Sequence, residues 1–160
     1  MIHIRRAGPL DASALSDLLN AIVAKGGTTA MVAPVSGEVL AAWMGRENAI
    51  WHMAEDDDGQ IKGFQWTEPH PDLPPDAVDI ASFVRLGETG LGIGSALFEA
   101  TKVAVRAQGY ACIDAIIRAD NTGGLAYYQS RGFETIRQMA NEELDDGRRV
   151  DKVWKRYRLD

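Results

Sequence analysis

Three glycines at alternate positions, in the run Thr89-Gly90-Leu91-Gly92-Ile93-Gly94, constrain this chain more than any other feature. Before them stands an apolar stretch, about Val78 to Val84, that reads as a strand. After them a helical pattern runs to about Gln108, with Leu97, Ala100, Val103, Ala104 and Ala107 expected to face inward and Gly109 as its stop. Glycines between a strand and a helix let the backbone take positive φ and approach a ligand without interference from Cβ. The first N–H groups of the helix lack internal partners and carry partial positive charge, so the turn suits a phosphate or pyrophosphate. A P-loop would need Lys-Ser or Lys-Thr after its last glycine, whereas Ser95-Ala96 follows here. A dinucleotide fold needs its third glycine where Ser95 stands, directly after the first strand of its unit, and this strand comes fourth. A tight structural turn with no ligand stays open on the glycines alone.

The rest of the chain supplies a framework around that turn. Ile2 to Arg6 alternates as a strand, and Asp11 offers a cap before Leu15, Leu18, Leu19, Ile22 and Val23, whose spacing marks one helical face ended by Gly26-Gly27. Ser36 caps a second, short helix carrying Val39, Leu40, Trp43 and Met44. Strands at about 49–55 and 61–68 meet through Asp56-Asp57-Asp58-Gly59, a hairpin signal, before a proline-rich loop over 69–75. Cys112 to Ile117 is a nearly continuous apolar strand, expected to be covered on both faces. A short helix over about 122–130 ends at Gly132, and two last strands, about 133–139 and 150–158, join through Asp145-Asp146-Gly147. The expected class is α/β with a mixed sheet: antiparallel hairpins at its ends and a strand–helix–strand crossover in its middle. No repeat or linker divides the 160 residues, so one domain, 1–160, is expected.

A net charge of -6 argues against a nucleic-acid surface. The basic run Arg148, Arg149, Lys152, Lys155, Arg156 and Arg158 scatters over both faces of the last strand, which reads as a solvated edge and a possible homodimer contact. A single cysteine, Cys112, forms no internal disulfide and reads as a buried hydrophobe. The N-terminal Met1-Ile2-His3-Ile4-Arg5-Arg6 has no apolar region after its basic pair, and no apolar run approaches bilayer length, so no membrane partner and a cytoplasmic location are expected. His3, His52 and His70 are too scattered for a metal site, and no metal is expected.

A second motif lies downstream: Asn121, then Tyr128 seven residues on, then Gly132-Phe133 closing the short helix. With the glycine turn it resembles the GNAT superfamily of N-acetyltransferases, whose signature after the fourth strand is Gln/Arg-x-x-Gly-x-Gly/Ala. Thr89 departs from that signature at its first position. The resemblance covers about Val84 to Phe133 and implies a mostly antiparallel sheet of about seven strands, splayed between the fourth and fifth, with about four helices. It implies acetyl-CoA as co-substrate, its pantetheine inserted in the splay against backbone near Val84 and Leu86. Its pyrophosphate would rest on Thr89, Gly90, Leu91, Gly92, Ile93, Gly94 and Ser95, held mainly by backbone amides. A backbone N–H near Val84 would polarise the thioester carbonyl. Asn121 would hydrogen-bond the pantetheine arm, and Tyr128 would protonate the departing thiolate as general acid, with Tyr127 packing beside it.

Amine acylation also needs a base or a water relay. Two positions where the family often places a glutamate, four and six residues before Val84, hold Ile80 and Val78, which do not titrate. Asp79, five before Val84, matches the offset in the phosphinothricin-acetyltransferase branch, and Thr28-Thr29-Ala30, Pro34, Ser36 and Trp43 resemble that branch after the first helix. Being shorter than glutamate, Asp79 would work through a bridging water. The acceptor pocket implied by the family nominates Thr28, Thr29, Trp43, Trp66, Glu68, His70 and Phe83, though each aromatic taken singly fits a core position equally well. A small primary amine, an amino acid or its analogue first, is the expected acceptor. Polyamines, aminoglycosides and protein N-termini are alternatives, as is an acyl-CoA-binding module without turnover.

Overall fold

Alternating strands at the start and end of the chain and a crossover between them build one seven-stranded sheet. In a computed structural model, which describes residues 1–88 and 91–160, the strands are β1 (His3–Arg6), β2 (Ile50–Glu55), β3 (Ile61–Glu68), β4 (Ala77–Val84), β5 (Cys112–Arg118), β6 (Glu134–Glu143) and β7 (Arg149–Arg158). The helices are α1 (Ala12–Lys25), α2 (Gly37–Met44), α3 (Ile93–Ala107) and α4 (Thr122–Ser130). The sheet order is β1-β2-β3-β4-β5-β7-β6, and every neighbouring pair is antiparallel except β4 and β5.

That parallel pair is short. β4 and β5 are in register only at Ala77–Cys112, Val78–Ile113 and Asp79–Asp114. Beyond them β4 continues to pair with β3 as far as Val84, and β5 with β7 as far as Arg118, so the two strands part company. The Arg85 amide donates to the Lys62 carbonyl at 2.8 Å. Peptide groups alternate in direction along a strand, so those of Val84, Ser82 and Ile80 point the other way, into the gap.

The two faces of the sheet carry different cores. On one, α1 and α2 cover a stack of aromatics: Trp51 and Trp66 lie parallel with centroids 4.2 Å apart, and Phe64 and Phe83 at 5.1 Å. On the other, α3 and α4 bring Phe98, Val105 and Tyr128 onto Val78, Ile80, Ile113 and Ile117. Alternation along β4 therefore sends Asp79, Ala81 and Phe83 to the first face, and Ile80 and Ser82 to the second.

Both hairpins form through their Asp-Gly turns, with Gly59 at φ +81° and Gly147 at φ +86°. Ser36 caps α2 by accepting from the Val39 amide. Three expectations need correction. Asp11 stands at the start of α1, but its carboxylate takes the Arg5 guanidinium and the Gly8 amide instead of capping the helix. The buried stripe of α3 is Ile93, Leu97, Phe98, Thr101 and Val105, whereas Val103 is 67% exposed. And β7 is an interior strand between β5 and β6: Lys155 is buried, and Arg156 forms a two-point ion pair with Asp114. The edges are β1 and β6.

Candidate active site

The gap between β4 and β5 gathers most of the residues named by the two motifs. At its start three carboxyls lie in one cross-strand row, Glu68–Asp79–Asp114. The outer two are ion-paired: Glu68 with Arg46 at 3.0 Å, and fully buried Asp114 with Arg156 at 2.8 Å. Asp79 has no cation partner among the described residues. Burial, then the neighbouring charges of Glu68 and Asp114, push its carboxyl up to about 7, against smaller opposing pulls from the Ile80 backbone and Lys152.

On the opposite face of β4, α4 delivers two tyrosines. Tyr128 is buried against Phe133, and its hydroxyl lies 2.8 Å from Ser82 Oγ, three residues past the last β4–β5 pair. Burial raises its phenol well above the ordinary value, with the Ser82 contact pulling it back. The group thus holds its proton at neutral pH. The Tyr127 hydroxyl donates to the Gly94 carbonyl at 2.6 Å and accepts from Gln65 Nε2 at 3.2 Å, and burial pushes its phenol up to about 12. Tyr127 was expected to pack, and it also hydrogen-bonds. Gln65, Ser82 and Thr101 escaped the sequence reading, because a polar residue in a strand or helix carries no sign of its partners.

At the far end of the gap, Gly92 opens α3 in the left-handed conformation, φ +81°, which glycine adopts without strain. The first main-chain bond into the helix is Ala96 N–H to the Gly92 carbonyl, at 3.0 Å. The amides of Ile93, Gly94 and Ser95 precede it and have no main-chain partner among the described residues, which suits them to an anion. Ile93 buries its side chain, while Leu91 and Leu86 are exposed. Thr89 and Gly90 lie outside the described residues. Val84 presents its peptide to the gap, next to a cleft of about 290 Å³ lined by Asp17, Leu18, Ala21, Arg85 and Leu86.

Asn121 caps α4 by accepting from the Gly124 amide at 3.0 Å, and it donates to the Thr28 carbonyl at 2.9 Å. Arg118 Nη1 donates to the Thr29 carbonyl at 3.1 Å, while its Nε and Nη2 grip Asp120. The loop after α1 is thereby fastened to the far end of β5 by both threonines. Among the other acceptor candidates, Trp66 and Phe83 are buried in the aromatic stack, and Trp43 is half-buried with its ring centroid 6.1 Å from that of Trp66. Glu68 shares Asp79's row, and His70 is exposed and ties its own loop through the Asp72 amide.

Comparison with known proteins agrees with this geometry. The family model described as "Acetyltransferase (GNAT) family" matches residues 18–133. A mycothiol acetyltransferase from Kocuria rhizophila is 30% identical over 96 residues, 58% of this chain, but the match spans only 32% of that relative's length. Among solved structures, a phosphinothricin acetyltransferase from Sinorhizobium meliloti in complex with acetyl-CoA superimposes with a TM-score of 0.88 at 20% identity, covering 99% of this chain and 88% of that one. A ribosomal-protein-alanine N-acetyltransferase from Brucella melitensis does so at 0.87 and 23% identity, covering 98% and 99%. At such identities these two structures speak to the fold alone.

Proposed function

The chain belongs to the acetyltransferase (GNAT) family, and we propose that it transfers the acetyl group of acetyl-CoA to the primary amine of a small molecule. The observation that carries the reading is the placement of Asp79 and Tyr128. One is a carboxyl held near neutrality, the other a protonated phenol, and they flank β4 from opposite faces where it parts from β5. Two titratable groups with opposite tasks, on either side of one reacting centre, are what acyl transfer between an amine and a thioester needs.

The residues present fit acetyl-CoA. The peptide groups of Ile80, Ser82 and Val84, turned into the gap, match the amides of a pantetheine arm, and the first amides of α3 match a pyrophosphate. When bound, the thioester supplies an activated acetyl group. The Val84 N–H would donate to its carbonyl oxygen, a preorganised contact that gains strength as charge develops there. Asp79, acting through a water, would take the proton of the incoming amine, and Tyr128 Oη would give a proton to the departing thiolate. Asn121 keeps a second Nδ2 proton beyond the one given to Thr28, and that proton would meet the pantetheine arm. Thr28, Thr29, Trp43 and Glu68 would border the acceptor. The five-residue offset from Asp79 to Val84 favours an amino acid or amino-acid analogue, and the presence of both groups at one gap supports direct attack in a ternary complex.

The test is thiol release from acetyl-CoA across a panel of amino acids, polyamines, aminoglycosides and N-terminal peptides. Release with an amino acid or analogue supports the reading. Binding of acetyl-CoA without release from any amine would make the chain a binding module, and failure to bind would overturn both readings.

A further inference from the structure

Beyond these roles, we infer that Thr101, Gln65 and Ser82 form a one-way hydrogen-bond relay that aims the hydroxyl proton of Tyr128 into the gap between β4 and β5. Only its final, catalytic step rests on the reading of Tyr128 as the acid.

The direction is set at the end remote from Tyr128. A phenol has one proton to give, and Tyr127 gives its proton to the Gly94 carbonyl at 2.6 Å. Its oxygen can then only accept, so the Gln65 atom 3.2 Å away must be the amide nitrogen. The same orientation turns Gln65 Oε1 toward Thr101, whose hydroxyl donates to it at 2.5 Å. With the amide so fixed, Gln65 Nε2 donates its other proton to Ser82 Oγ at 2.8 Å. Gln65 and Thr101 are buried, and Gln65 faces Ser82 in a non-hydrogen-bonded cross-strand pair, where side chains lie closest.

Ser82 has accepted one bond and must still place its own proton. Among the described residues the one acceptor within reach is Tyr128 Oη, at 2.8 Å. Either arrangement of the pair leaves one hydroxyl proton without a protein partner, but Ser82 Oγ already accepts from Gln65 Nε2, which polarises its own O–H and makes it the better donor. Ser82 therefore donates, and the Tyr128 proton turns away from it toward the gap. As the carbon–sulfur bond breaks, that proton passes to the sulfur, which takes the bond's electron pair. The Ser82 donor then stabilises the phenolate left behind. Ser82, Gln65 and Thr101 are positioning residues: each acts through Tyr128.

The first test needs no bound ligand. Proton NMR of the free protein, with tyrosine selectively labelled, reads how fast each tyrosine hydroxyl exchanges with water. The relay requires a slow hydroxyl at Tyr127, held by Gly94, and a faster one at Tyr128. A Tyr128 hydroxyl slowed by donation to Ser82 would overturn it. The second test uses turnover. Ser82→Ala should lower kcat ~10-fold, about the worth of one hydrogen bond, with acetyl-CoA affinity by calorimetry unchanged and Ser82→Thr close to wild type. The defect should shrink with an acetyl thioester of a more acidic thiol, because that leaving group needs less help. An equal defect with both thioesters would mark mere structural damage and overturn the positioning role. Tyr128→Phe separates the two readings: unchanged turnover there removes the acid assignment, while the hydroxyl exchange pattern still decides the direction of the relay.

Discussion

The Tyr127 hydroxyl donates to the carbonyl of Gly94 at 2.6 Å, and its ring occupies the place where a Cβ on Gly94 would stand. The third glycine of the turn is thus required by a side chain from α4. This is a different reason from the second glycine's: a Cβ on Gly92 would meet nothing among the described residues, and Gly92 is needed for its positive φ.

Gly94→Ala would place a methyl 2.7 Å from Tyr127 Cε1 and 3.2 Å from Cζ. The ring must move and its hydrogen bond to Gly94 must lengthen, at a cost of ~1–3 kcal/mol in urea denaturation. Tyr127→Leu relieves the crowding, so the double variant should be less destabilised than the sum of the single variants. Strict additivity would show that the ring is not the obstacle.

Gly63→Ala acts from β3, on the side of β4 away from the gap. Its Cβ would lie 2.7 Å from the Phe83 carbonyl oxygen, 3.2 Å from Ile93 Cγ2 and 3.4 Å from Val84 Cα. Main chain cannot swing aside as a ring can, so β4 must shift. We expect a loss of about 2 kcal/mol or more by chemical denaturation, and weaker acetyl-CoA binding by calorimetry because the Val84 peptide moves.

Asp79→Asn should change stability and rate in opposite senses. Below about pH 4 the carboxyl is protonated whether the chain is folded or not, and it costs nothing. Between about 4 and 7 the unfolded carboxyl ionises while the native one keeps its proton, so native stability falls as pH rises and levels off above 7. Removing the charge should make the variant more stable than wild type at pH 8, by ~1–3 kcal/mol after screening, and not at pH 4. His52, held down to about 4 by burial and Arg6, opposes this slope over the same window, so the difference between the two proteins is the quantity to read. In the pH profile of kcat the wild-type rise through about 7 should vanish, with a residual rate ~10²-fold lower.

Asn121→Asp separates the capping task of that side chain from its two donor tasks, to the Thr28 carbonyl and to the pantetheine arm. The carboxylate can still cap α4 at the Gly124 amide, but it has no N–H for the Thr28 carbonyl. Stability should stay within ~1 kcal/mol, while the amine KM rises several-fold and limited proteolysis finds the loop after α1. An unchanged KM would detach that loop from the acceptor site.

Much of this site was legible because its residues are tied to main-chain geometry. A strand, alternate glycines, a helix, and then Asn121 and Tyr128 at fixed spacing leave few ways to fold. Asp79 was visible as the one acid inside the fourth strand, but its lack of a partner was not: that depends on Arg46 and Arg156, which arrive from α2's end and from β7. Thr101 hid the inward face of α3, since a threonine breaks an apolar stripe even when its hydroxyl is paired inside. The basic last strand misled for a related reason. Its charges fall on both faces as on a solvated edge, yet Arg156 is held by a partner, the buried Asp114, forty-two residues earlier in the chain.

The three-residue seam between β4 and β5 leaves the sheet as two panels, β1 to β4 and β5 to β7, joined at one end. An amide-bearing arm laid between them would act as the missing length of strand. Release of the spent thiol would then be an unzipping, paced by main-chain bonds breaking in sequence from the open end toward the seam.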